Sequence, residues 1–153
     1  MELSVEVAGL KLKTPLVLAS GVMGTSLAFF KEIDRYVGAV TTKSLGPEPR
    51  AGNTPPVVVE LPYGMINAMG LPNPGIDRFA PTISEAKKVL TSKVVVSVFG
   101  RTPGEYAEVA SKAEEAGADA VELNLSCPHE RLVAQFSHDP KLASQVVSAV
   151  SST

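Results

Sequence analysis

Cysteine occurs once in this sequence, at Cys127. No intrachain disulfide can form, and a reducing, cytoplasmic setting is expected. The longest apolar runs fall short of the roughly 20 residues that cross a bilayer as a helix. The amino terminus also lacks the basic and apolar regions of a secretory signal, so a soluble protein is expected. Neither sign of charge prevails: 14 basic and 16 acidic residues are interspersed, for a formal net charge of −2. That balance offers no electrostatic footprint for nucleic acid or for an anionic membrane surface. There is no internal repeat, low-complexity tract, Rossmann glycine fingerprint or P-loop. Two histidines, His129 and His138, make no metal-site pattern, and no metal is expected. What the chain does have is 153 residues of 44% hydrophobic content, ample for a domain-sized core.

Leu3 to Lys13 alternates around Ala8-Gly9 and reads as a hairpin. Leu16 to Ala19 is a short strand entering Ser20-Gly21. Ser26 then precedes a helical pattern on Leu27, Phe30, Ile33 and Val37. Ala39 to Thr42 is a second strand ending at Lys43-Ser44. A stretch rich in Pro, Gly and Asn follows, a long loop over about 44–75 with an extended piece at Val57 to Val59. So long a connection is more often functional than accidental. From Ile76 the positions Phe79, Ile83, Val89 and Leu90 suit a helix that Pro81 should break or begin. Val94 to Phe99 is a buried strand, and Thr102-Pro103-Gly104-Glu105 supplies an N-cap, a proline at the first helical position and a capping-box glutamate. Gly117 stops that helix, Ala118 to Leu125 is the next strand, and Asp139-Pro140 caps a final helix on Leu142, Val146 and Val150. Strands leading through loops to helices predict a single α/β domain with a parallel sheet, either open or the beginning of a (β/α)8 barrel.

Chemistry is expected where strands end. Asn124, Ser126 and Cys127 should project from the tip of one strand, and there the thiol serves as a base, a nucleophile or a small core residue. Lys43 directly follows another apolar strand, where a solvated lysine is less easily assumed. Asn67 and Asn124 carry amides that can donate and accept, though Asn67 and Gly70 by themselves read as turn formers more often than as ligands. Ser20 and Ser44 serve equally as local turn or N-cap serines.

Ala19-Ser20-Gly21, Thr42-Lys43-Ser44, Asn67-Ala68-Met69-Gly70-Leu71-Pro72-Asn73 and Asn124-Leu125-Ser126-Cys127-Pro128 stand in that order along the chain. Together they resemble dihydroorotate dehydrogenase of the soluble, cysteine-using class, from the amino-terminal hairpin to the last helix. The resemblance implies the first half of an FMN-containing (β/α)8 TIM barrel, which oxidises dihydroorotate to orotate in pyrimidine biosynthesis. It implies that Cys127 is the catalytic base, removing the proton from C5 while hydride leaves C6. A free thiol titrates near about 8.5, so such a base needs positive charge or amide donors close by. Lys43, Asn67, Asn124 and the backbone around Met69, Gly70 and Leu71 are the implied substrate contacts. Ala19, Ser20, Gly21, Lys43, Ser44, Ser97 and Asn124 are the implied flavin contacts.

Two positions depart from the family pattern: Ser97, where an asparagine is common, and His129, whose Cys-Pro-His setting is similar to dihydropyrimidine dehydrogenases. A complete barrel needs about 250 residues, so the expectation is an incomplete barrel whose activity requires the remaining strands. A dihydropyrimidine dehydrogenase-like flavoenzyme and a noncatalytic half-barrel assembly module are the alternatives. A homo-oligomer is expected, with an electron-transfer subunit as a further partner; the motifs do not specify the electron acceptor.

Overall fold

A computed structural model of the chain describes residues 3–23, 25–127 and 131–153. Val5–Val7 (β1) and Leu10–Leu12 (β2) pair antiparallel across Ala8 and Gly9, both at positive φ (50° and 79°). Two successive positive-φ residues match the right-handed twist of a tight hairpin. Val17–Leu18 (β3) leads to the helix Leu27–Ile33 (α1), where the Ser26 hydroxyl accepts from the Phe29 amide as the N-cap. A 3-10 turn, Asp34–Tyr36, ends that unit, and Ala39–Thr41 (β4) follows.

The stretch between β4 and the next helix is not all loop. Val58–Leu61 (β5) and Gly64–Asn67 (β6) form a second antiparallel hairpin within it. Every residue of both strands is exposed. With neither face buried, the segment carries no apolar-polar alternation by which a strand pair is recognised.

Ile76–Val89 (α2) contains Pro81 without ending there. Ile76, Phe79, Ile83 and Ala86 are buried along one stripe while Pro81 is exposed. The proline therefore forfeits one hydrogen bond on the solvent side, and burial of the stripe outweighs it. Lys93–Val98 (β7) leads to Pro103–Glu115 (α3), capped by Thr102, whose hydroxyl accepts from the Glu105 amide. The Glu105 carboxylate takes the Arg101 amide, one residue earlier than a capping box requires. Gly117, at φ 98°, follows the C-cap of α3, and Ala120–Leu123 (β8) comes next.

Beyond the cysteine segment are Arg131–His138 (α4) and Pro140–Ser151 (α5), the latter capped by Asp139. The sequence reading has no counterpart to α4. Val133 and Phe136, both buried, are its spacing signal.

One parallel sheet organises the molecule, in the order β3-β4-β7-β8. Each strand thus pairs with the one that precedes it in the α/β series. Leu18, Val40, Val94, Val96 and Val98 pack with Phe30, Phe79, Ile83, Tyr106, Val109 and Val146 into a single core. The helices cover that face in succession, α1 on α2, α2 on α3 and α3 on α5. Alternate positions, Ala39, Thr41, Val95 and Ser97, project from the other face. At the sheet's two edges that second face is open: Val17 is 49% exposed and Glu122 is exposed.

Candidate active site

Because the strands are parallel, their carboxyl ends lie at one edge of the sheet and deliver four loops to one place. Ser20 follows β3, Lys43 and Ser44 follow β4, Ser97 lies within β7 near its end, and Asn124 to Cys127 follow β8. A cavity of about 780 Å³ opens there. Ser20, Gly21, Lys43, Asn67, Met69, Gly70, Leu71, Asn124 and Cys127 line it, together with Val22, Val58, Met65 and Ser126. Among the described residues lining the cavity, Lys43 is the one with a fixed charge, so its field favours an anion.

Three of the expected positions stand apart. Ala19 is exposed but does not line the cavity. Ser44 and Ser97 are buried beneath it, 3% and 0% exposed. They belong to a hydroxyl chain: Ser20 Oγ lies 3.3 Å from Ser44 Oγ, and Ser44 Oγ 3.0 Å from Ser97 Oγ. Asn124 Nδ2 donates to Ser44 Oγ at 3.0 Å, and Ser126 N donates to Asn124 Oδ1 at 3.3 Å. Asn124 therefore bridges the β4 tip to the cysteine loop with both ends of its amide.

Cys127 is 7% exposed and unpaired. It packs in the same core as Tyr106 and Phe136 while its accessible remainder meets the cavity. Both of its readings from sequence, core residue and reactive thiol, are thus compatible with its position. His129 lies outside the described residues.

The Asn67 to Asn73 segment is held in an unusual path. Gly70 has φ +73°, and a Cβ there would fall 2.7 Å from Asn53 Cγ. Leu71, buried at 4% exposure, has φ 55°, a conformation costing about 1–3 kcal/mol in a non-glycine residue. Two asparagines stabilise this path. Asn53 takes the Met69 carbonyl on its backbone amide and the Ala68 carbonyl on its side chain. Asn73 Nδ2 donates to Leu71 O, while its Oδ1 accepts from Gly46 N and Gly75 N. Sequence reasoning did not assign these roles. Asn73 stood in a motif; its bonds to Leu71 and Gly75 are local, and the one from Gly46 is the tertiary contact.

Gly21, at φ +79°, brings bare backbone beside Lys43: a Cβ at Gly21 would sit 3.4 Å from Lys43 Nζ. Small residues at Ser20 and Gly21 leave a wall that a flat ring can approach closely. Among the described residues, no group of three or more His, Cys, Asp or Glu side chains is arranged to hold a metal ion, and no helix is long and apolar enough to cross a membrane.

Known proteins are similar to this chain in sequence and in fold. The catalytic subunit of dihydroorotate dehydrogenase B (NAD(+)) from Methanosarcina mazei is 46% identical over 93% of the chain and 46% of its own length. The subunit of the same name from Pyrococcus abyssi is 47% identical over 97% of the chain and 49% of its own. This chain thus spans about half the length of the curated relatives it matches. Ligand-free DHODH from Eimeria tenella superposes with a TM-score of 0.86, at 22% identity, over 99% of this chain and 45% of that one, a likeness of fold. A family model described as dihydroorotate dehydrogenase matches residues 2–153, and the chain belongs to that family.

Proposed function

We propose that this chain supplies the substrate-activating half of a (β/α)8 barrel that oxidises dihydroorotate to orotate in pyrimidine biosynthesis. The observation that carries the reading is the convergence of Lys43, Asn67 and the pair Asn124 and Cys127 on one cavity from three separate segments. Cys127 takes the proton from C5 of dihydroorotate, a weak carbon acid that needs a base held against it. The Lys43 ammonium faces the substrate carboxylate and any negative charge that develops in the site. Asn67 and Asn124 present amides to the ring edge, and the Met69-Gly70-Leu71 backbone closes on it.

FMN suits the wall formed by Ser20, Gly21 and Lys43, where a side chain at Gly21 would intrude; when bound, it accepts the hydride that leaves C6. Ser44 and Ser97 act from beneath, through the hydroxyl chain, and Ala19 sets the entry to the Ser20-Gly21 turn. The remaining barrel strands supply the rest of the cofactor site. The relatives are named catalytic subunits of an NAD(+) enzyme, which favours an electron-transfer subunit as partner here.

The deciding experiment uses the full-length, flavin-loaded enzyme without oxygen. Dihydroorotate is expected to bleach the flavin absorbance and dihydrouracil to leave it largely oxidised. A preference for dihydrouracil would reject the proposed substrate.

A further inference from the structure

Tyr106 belongs to none of the motifs at the strand tips, yet among the described residues it is the largest fully buried side chain. It projects from α3 toward the end of β8. Its hydroxyl donates to the backbone oxygen of Asn124 at 2.7 Å. Asn124 is where the β8 ladder stops: its amide still reaches Val98 O, while its carbonyl takes the phenol instead of a strand. The ring of Tyr106 meets Phe136 of α4 edge to face, with centroids 5.5 Å apart and planes at 86°. Asn124 precedes Cys127 and Phe136 follows it, so one side chain grips the polypeptide on both sides of the thiol. Burial pushes the phenol up to about 12, which keeps it protonated, and a donor, at any ordinary pH.

We propose that Tyr106 is the positioning residue of the cysteine loop, fixing the Asn124 backbone and thereby the direction in which Cys127 faces the cavity. The proposal rests on the reading of Cys127 as the base. A tyrosine that only fills the core needs its ring; this one also needs its oxygen. Phenylalanine separates the two, because it retains the packing on Phe136 and leaves the half-buried Asn124 carbonyl without its donor.

The test is Tyr106→Phe in the full-length, flavin-loaded enzyme. The limiting rate of anaerobic flavin reduction by dihydroorotate is expected to fall about five- to tenfold, the effect of one ordinary hydrogen bond, with flavin occupancy unchanged. The apparent Kd of dihydroorotate is expected to stay within about twofold, since direct substrate contacts are untouched. In parallel, alkylation of Cys127 by iodoacetamide, followed on its own peptide by mass spectrometry, should accelerate about threefold or more as the loop loosens.

Wild-type values for both the limiting rate and the alkylation rate would overturn the proposal, as would a raised Kd at an unchanged limiting rate. Should Tyr106→Phe not accumulate as folded protein, Phe136→Leu, which weakens the other side of the same grip, is held to the same two readings. Wild-type enzyme that dihydroorotate does not reduce would defeat the proposed reaction instead; the alkylation rates would still decide whether Tyr106 holds the loop.

Discussion

Cys127 offers the cavity only a small part of its surface, since it is 7% exposed, and in the proposed role of base it would meet substrate from one direction. Cys127→Ser keeps that geometry while replacing the thiol with a much poorer base near neutrality. Flavin reduction by dihydroorotate is expected to slow by about 10²- to 10⁴-fold, the usual contribution of a general base, with flavin still bound. Stopped-flow absorbance reads this directly, and unchanged kinetics would reject the base assignment. Gly70 carries a different constraint, because positive φ and the 2.7 Å approach to Asn53 act together. Gly70→Ala is expected to cost about 1–3 kcal/mol in thermal unfolding. Gly104 is the control: a Cβ there meets only Thr102 Oγ1, at 3.9 Å. Gly104→Ala, inside the first turn of α3, should be neutral or stabilising by up to about 1 kcal/mol.

Among the elements, α2 tolerates an exposed proline within its length. Pro81→Ala restores an amide able to bond the Asp77 carbonyl and should stabilise the fold by about 1–2 kcal/mol, the helix gain less the added freedom of the unfolded chain. A lowered melting temperature would mean that the fixed backbone angle of Pro81 outweighs the missing hydrogen bond. The 3-10 turn after α1 is tied to the approach to β7 through Asp34, whose carboxylate accepts from the backbone amides of Thr91 and Ser92. Burial alone would raise the Asp34 carboxyl, but the hydrogen bonds from Ser92 and Thr91 outweigh it and hold the group well below the usual carboxylate range. The unfolded chain therefore takes up this proton first as acid is added. The tie is complete above about pH 5 and weakens progressively below the ordinary carboxylate value of about 3.9. Asp34→Asn should lower the melting temperature at pH 7, and the gap to wild type should narrow toward pH 2; a gap constant across that range would show that the charge contributes nothing. Much of this level was legible in the sequence. Ser26, Thr102 and Asp139 announced their helices because a capping side chain acts within three residues of itself. The β5–β6 hairpin did not, because strands exposed on both faces have no alternation, and α4 was hidden between the cysteine loop and the strong Asp139-Pro140 signal. At the site, positions on strand tips were readable from their neighbours, whereas Asn53 and Tyr106 act through partners distant in sequence, and Asn73 adds one such partner, Gly46, to its local bonds with Leu71 and Gly75.

For the whole molecule, β3 and β8 are the sheet's edges, and beside them the face opposite the helices is open. Unpaired parallel edges next to apolar surface invite association. The β5–β6 hairpin adds to that surface with Tyr63, Met65 and Ile66 at 102%, 73% and 61% exposure. The 153-residue polypeptide, prepared alone, is expected to show concentration-dependent mass by sedimentation, and Val17→Lys on the β3 edge should shift it toward the monomer; a wild-type monomer at every concentration would refute this. The hydroxyl chain beneath the cavity joins all four strands of the sheet, and its proton order follows from valence. Ser97 is fully buried, and among the described residues its hydroxyl has Ser44 as its partner, so its proton must point there. Ser44, also accepting from Asn124, then has both lone pairs engaged and passes its own proton to Ser20. The Ser20 proton is left facing the cavity. A fully buried residue that does not line the cavity thus dictates that this wall offers a donor, favouring a ring that turns a carbonyl oxygen or unprotonated nitrogen toward Ser20 and disfavouring one that presents an N–H.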